Sequence, residues 1–177
     1  EFNNFLQRDV LALGICNGFR VMVSLGIVPG GRVAPATVAL EHNAGGRYVC
    51  RWVDLAVNEQ SPCVFTRGIK SLRVPVAHGE GRFVTTPETL TALDASGQLV
   101  MRYVNADGSP AEGCYPANPN GALADVAAVC DTSGRFMGLM PHPERNILFT
   151  QRDNWTALRE EYRRRGEPVP EESEGLA

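Results

Sequence analysis

The sequence predicts an α/β protein, a mixed sheet with helices on both faces. Three observations carry that reading. "VLALGI" (residues 10–15) and "FMGLM" (136–140) are apolar on both faces, as buried strands covered from both sides are. Directly after Cys16 the spacing turns helical, with Val21, Leu25 and Val28 at i, i+4 and i+7 beside Phe19 and Met22. Several further segments alternate with a period of two and are bounded by Pro, Gly and Asn.

Taken in order, the first strand is expected to be central and parallel, followed by a tight turn at Cys16 and a helix stopped by Pro29-Gly30. Residues 31–46 read as irregular. "RYVCRWVDLAV" (47–57) places Val49, Val53, Leu55 and Val57 on one side of a strand. "SLRVPVAHGEGRFV" (71–84) reads as a strand whose Pro75 argues for an edge or a strand end. Thr86-Pro87-Glu88 is an N-cap with proline at the first helical position, opening a short helix to Leu93. "QLVMRYV" (98–104) is a strand, and "YPANPNGAL" (115–123) is a loop. "DVAAVCDTSGRFMGLM" (125–140) reads as two strands joined by a turn at Thr132-Ser133-Gly134. Residues 154–165 form a charged surface helix.

The 177 residues suit one domain, taken as 1–177, with a sizeable core. Hydrophobic residues at 44% and charged residues at 21% fit a soluble globular chain. A net charge of -3 without a basic block argues against a nucleic-acid partner. No apolar run approaches the ~20 residues that span a bilayer, and the polar first nine residues do not resemble a signal peptide. Cys16, Cys50, Cys63, Cys114 and Cys130 are odd in number and lack C-x-x-C spacing, so a disulfide framework or zinc site is not expected and the cytoplasm is the default. The absence of an initial Met and the interrupted pattern of "EESEGLA" lead to the expectation that the chain is a piece of a longer protein.

Chemistry concentrates in three places. Cys16 sits at a strand-to-helix turn, where partial positive charge at the helix start favours thiolate and free N–H groups can hold an oxyanion. Gly14 and Gly18 lie two residues either side, as a tight nucleophile elbow requires. This segment alone is equally consistent with a small buried residue. In "GLMPHPERN" (138–146), His142 leaves a buried strand at the carboxyl edge of the sheet, stiffened by Pro141 and Pro143. Glu144 is placed to orient the imidazole so that its other nitrogen acts as a base. A lone His-x-Glu is a weak signal; paired with an elbow cysteine it favours catalysis. In "VAHGEGRFV" (76–84), His78 and Gly79 either approach a ligand or form a plain turn with a surface histidine. Asn118 and Asn120 read as turn residues, and Trp52 and Trp155 as packing residues.

"GICNGF", "PVAHGEGRFV", "NPNGALADVAAV" and "GLMPHPER" occur in that order in class I glutamine amidotransferases. The chain resembles that family over about residues 10–145, and within it the branch that supplies the glutaminase subunit of phosphoribosylformylglycinamidine synthase. Asn17 after the cysteine and "PVAHGEG" mark the branch and argue against the pyrimidine or guanine nucleotide enzymes. The resemblance implies a flavodoxin-like three-layer fold with a mixed, mostly parallel sheet, truncated at its N-terminus. It implies Cys16 as nucleophile, His142 as acid/base and Glu144 as orienting carboxylate, with Asn17 N–H as an oxyanion donor. Asn17, Gly18, Arg20, His78 and Gly79 are the expected substrate-binding residues. The implied reaction hydrolyses glutamine through a thioester and passes ammonia to a synthetase subunit. That partner uses ATP and magnesium; no cofactor or metal is expected in this subunit, and a small third subunit is a further partner. Two departures stand out. Arg20 occupies a position where the family usually has Gln, and a preceding glycine-rich loop that completes the oxyanion site is expected upstream of Glu1. The remaining alternative is a triad-bearing module without turnover. Residues 77–81 and 31–46 are the expected contacts to the synthetase.

Overall fold

The computed structural model describes residues 2–173. In chain order the elements are α1 (Phe2–Leu6), β1 (Ala12–Ile15), α2 (Asn17–Ser24), α3 (Ile27–Gly30), β2 (Ala39–His42), β3 (Val49–Val57), β4 (Ser71–His78), β5 (Glu80–Val84), α4 (Pro87–Ala95), β6 (Leu99–Val104), β7 (Val126–Cys130), β8 (Phe136–Leu139) and α5 (Trp155–Arg165). Six strands form the main sheet in the order β1-β8-β7-β6-β3-β4, while β2 and β5 form a separate antiparallel pair. The α/β class and the mixed sheet agree with the sequence reading. Its mostly parallel character does not, because among the described residues only β1–β8 is parallel and the other four pairings are antiparallel. Connections such as the short turn between β7 and β8 are too brief for the crossover that parallel neighbours need.

The expected N-cap of α4 is formed, with Thr86 Oγ1 accepting from Thr89 N–H at 3.3 Å. Pro75 lies in an edge strand, where its missing N–H costs nothing in the ladder. The β7–β8 turn is held by Asp131, whose carboxylate accepts from Ser133 and Phe136 N–H at 2.9 Å each. Val74, Val76, Leu55, Val100, Tyr103 and Val129 are fully buried in the sheet, each aliphatic side chain contributing about 1.5–3 kcal/mol on burial.

Four local readings are corrected. β1 is an edge strand among the described residues, with Leu11 and Leu13 exposed, rather than a central one. Helix α2 ends at Ser24 instead of running to Val28, because Gly26 adopts a left-handed conformation (φ 71°), with Ala34 carbonyl packed where a Cβ would sit. Its buried face is Phe19, Met22 and Val23, while Val21 is exposed. Finally, the irregular segment contains β2, which takes β5 out of the strand expected across residues 71–84.

Glycine places α2 on the sheet. Gly14 and Gly138 pair directly across β1 and β8. A Cβ on Gly14 would lie 2.8 Å from the Gly18 backbone, and one on Gly138 would lie 1.9 Å from the Phe19 ring. Gly18 itself faces open space, so the steric demand rests on Gly14 and not on both elbow glycines. In the full-length protein, Gly138→Ala should lose about 1–3 kcal/mol in chemical denaturation through overpacking. Gly18→Ala should be neutral or gain up to about 1 kcal/mol, since alanine favours the helix.

Candidate active site

The parallel pairing of β1 with β8 runs to Ile15 opposite Leu139. Cys16 and His142 therefore leave neighbouring strands at the same carboxyl edge. Cys16 N–H still donates to Leu139 carbonyl at 2.8 Å, and Cys16 carbonyl accepts from Arg20 N–H at 3.2 Å. Between these two ties the residue adopts φ 52°, ψ −104°. A non-glycine residue held at positive φ carries on the order of 1–3 kcal/mol of strain, which the surrounding structure must impose.

The thiol is half-buried and its pKa lies above the ordinary value. Burial is the main cause; the Asn17 N–H opposes it, and the Glu144 charge raises it further. The helix start favours thiolate as expected, through the Asn17 N–H, but desolvation outweighs it.

His142 N–H donates to Pro75 carbonyl at 2.8 Å, fixing the backbone where a 3-10 turn, Pro143–Arg145, begins. Its Nδ1 lies 2.6 Å from Glu144 Oε1. A carboxylate only accepts, so Nδ1 carries the proton and Nε2 keeps a lone pair. Nε2 is buried and has no hydrogen-bond partner among the described residues. The His142–Glu144 pairing expected from "PHPER" is thus formed.

A cavity of about 360 Å³ opens over Cys16, lined by Asn17, Arg20, His78, Gly79 and Glu80, with Leu40 and Met140 completing it. Four of the five expected substrate-binding residues meet there; Gly18 does not line it. Arg20 forms an ion pair with Glu80, which also has His42 Nδ1 at 3.5 Å from its Oε1. Glu80 stood out in the sequence only within the 77–81 segment, not as a residue of the substrate site. Gly79 contributes backbone, its carbonyl accepting from Asn43 N–H at 3.0 Å. Asn118 and Asn120 serve the loop as expected: Asn118 Oδ1 accepts from Gly121 N–H at 2.8 Å, and Asn120 Nδ2 donates to Gly81 carbonyl at 2.9 Å.

His78 is buried, not a surface histidine. Asn43 Nδ2 donates to the carbonyls of His78 and Arg47 at 2.9 and 2.8 Å, and His78 Nδ1 lies 3.1 Å from Asn43 Oδ1. Asn43, in the segment read as irregular, carries no motif that would have marked it.

A profile of the CobB/CobQ-like glutamine amidotransferase domain matches residues 1–169. The chain belongs to this family. It is 46% identical over 97% of its length to the phosphoribosylformylglycinamidine synthase subunit PurQ of Methanococcus maripaludis, and 43% identical over 99% to that of Dehalococcoides mccartyi. It spans 63% and 64% of those two proteins. Among solved structures it is similar to PurLQS from Thermotoga maritima, with 34% identity and a TM-score of 0.55 over 77% of this chain and 52% of that one.

In this amidotransferase domain, burial and the neighbouring His142 lower the His78 pKa from 6.5 to about 4. Between those values the unfolded chain binds a proton that the folded one does not, so stability falls as pH drops from 6.5 towards 4. The loss should reach up to about 1.4 kcal/mol per pH unit. Denaturation of the full-length protein and of His78→Gln at pH 7 and pH 5 should show a smaller pH dependence in the variant.

Proposed function

We propose that the chain is the catalytic part of a glutaminase that serves phosphoribosylformylglycinamidine synthase. The carrying observation is the strained Cys16 at the sheet edge where the neighbouring strand β8 also delivers a Glu144-oriented imidazole, whose Nε2 is buried and unpartnered among the described residues. His142 Nε2 takes the Cys16 proton as sulfur attacks the carboxamide carbon of glutamine. Asn17 N–H stabilises the oxyanion. The imidazolium returns the proton to nitrogen as the C–N bond breaks, releasing ammonia and leaving a γ-glutamyl thioester. Water, deprotonated by the same nitrogen, then cleaves the thioester to glutamate and the free thiol.

Arg20 and Glu80 present opposite charges to the cavity and suit an amino acid zwitterion, Arg20 taking the α-carboxylate and Glu80 the α-ammonium. In this reading ammonia passes to a synthetase subunit, which uses ATP and magnesium to convert formylglycinamide ribonucleotide to its amidine in the cytoplasmic route to IMP; this subunit needs no cofactor. A small third subunit completes the assembly. The identities to the PurQ subunits and the likeness to PurLQS support this choice. A groove of about 470 Å³ beside the cavity, where Arg51 lies 5.2 Å over the Tyr115 ring and Tyr48 is exposed, suits protein contact. No helix among the described residues is long and apolar enough to cross a membrane.

In the full-length complex, Cys16→Ser should abolish glutamine-dependent amidation and leave ammonia-dependent amidation unchanged. Retained glutamine-dependent activity rejects the nucleophile. Glu144→Gln should lower kcat by roughly 10²–10⁴-fold with KM little changed, because it alters the base and not the contact surface. Arg20→Ala should do the reverse, raising KM for glutamine about tenfold or more at nearly constant kcat, since it removes binding common to ground and transition states.

A further inference from the structure

The amide of Asn43 can take only one orientation. Its Nδ2 donates to two carbonyls, those of His78 and Arg47, at 2.9 and 2.8 Å. The reverse orientation would set its oxygen against both. Asn43 Oδ1 is therefore the acceptor that faces His78 Nδ1 at 3.1 Å, and Nδ1 must carry the imidazole proton. This leaves His78 Nε2 as a bare lone pair. His78 is 3% exposed, and Nε2 is buried without a hydrogen-bond partner among the described residues. The residue lines the cavity over Cys16.

A buried acceptor without a donor costs roughly 1–3 kcal/mol, so its retention beside a nucleophile points to a ligand that brings the donor. Glutamine supplies such a donor in its carboxamide N–H₂. Glutamate, the product, presents only acceptors at the same position. We propose that His78 Nε2 accepts a hydrogen bond from the carboxamide N–H of glutamine and so makes the site select an amide over a carboxylate. The contact turns the carboxamide so that its nitrogen faces His78 and its carbonyl oxygen is left for Asn17 N–H. Against glutamate, the imidazole lone pair opposes a carboxylate oxygen and favours product release. His78 is neutral at working pH, because burial and His142 hold its pKa near 4. It takes no proton from the reaction; the proton still moves between Cys16, His142 and the departing nitrogen.

The inference rests on the glutaminase reading, and the test separates the two. The probes are glutamine and the γ-methyl ester of glutamate, whose leaving group has no N–H, assayed on the full-length complex. For His78→Ala, kcat/KM for glutamine should fall about 10- to 100-fold while that for the ester changes less than about threefold, and glutamate should inhibit more tightly. His78→Leu, near in volume and apolar, should give the same split and guards against collapse of the cavity in the alanine variant. A parallel loss on both substrates, or no loss on glutamine, overturns the proposal. So does failure of both variants to fold, which assigns His78 to the framework. A wild-type complex that hydrolyses neither probe overturns the glutaminase reading itself.

Discussion

Gly14 and Gly138 face each other across the one parallel pairing of the described sheet, and α2 rests on the flat they create. The approach is close enough that the Phe19 ring occupies the space of a Gly138 side chain. Everything at the site follows from that contact. Because α2 cannot lift away, the chain must turn from β1 into α2 within one residue, and Cys16 takes the strained conformation that results. Because β8 is the strand beside β1, the chain leaving it carries His142 to the same edge. A larger residue at either glycine therefore acts on the positions of Cys16 and His142 together.

The geometry also sets how the thiol is used. A helix start supplies only a fraction of a charge, and here its N–H works against partial burial and against the Glu144 carboxylate. The balance keeps sulfur protonated at rest. Glu144 thus has two opposed effects: it holds the imidazole ready as a base, and it disfavours thiolate until His142 becomes an imidazolium that offsets its charge. In the proposed mechanism such a site holds little reactive thiolate at rest and forms it as the proton moves to His142.

The parts of this site visible in the sequence are those in which chemistry and local geometry share a short stretch. "GICNGF" contains the strand end, the turn and the helix start; "PHPER" contains the base, its orienter and the prolines that fix them. Asn43 was invisible because its importance lies in a residue 35 positions away, and nothing in the spacing of an irregular segment signals it. Glu80 was hidden in the same way, since its partner Arg20 is on another element. The fold errors have a related origin. The apolar run at 136–140 does meet buried surroundings, but that at 10–15 leaves Leu11 and Leu13 exposed; pairing direction is decided by connections, and strand position by neighbours. The helical period after Cys16 was real, yet a left-handed Gly26 ended the helix before the apolar spacing ran out.

Two neighbouring histidines with Nε2 unpartnered look redundant until their partners are compared. The His142 ring is held by the Glu144 carboxyl group, 2.6 Å from its Nδ1. Asn43 carries no charge, and its carbonyl oxygen offers His78 only a hydrogen bond. Burial penalises an imidazolium at His78, and a charged His142 next to it adds repulsion. A charged His142 thus holds His78 more firmly neutral. In the proposed reaction the two rings divide the work between a nitrogen that exchanges a proton and one that only receives a hydrogen bond. That division is set by the second residue each ring touches, a carboxylate in one case and an amide in the other.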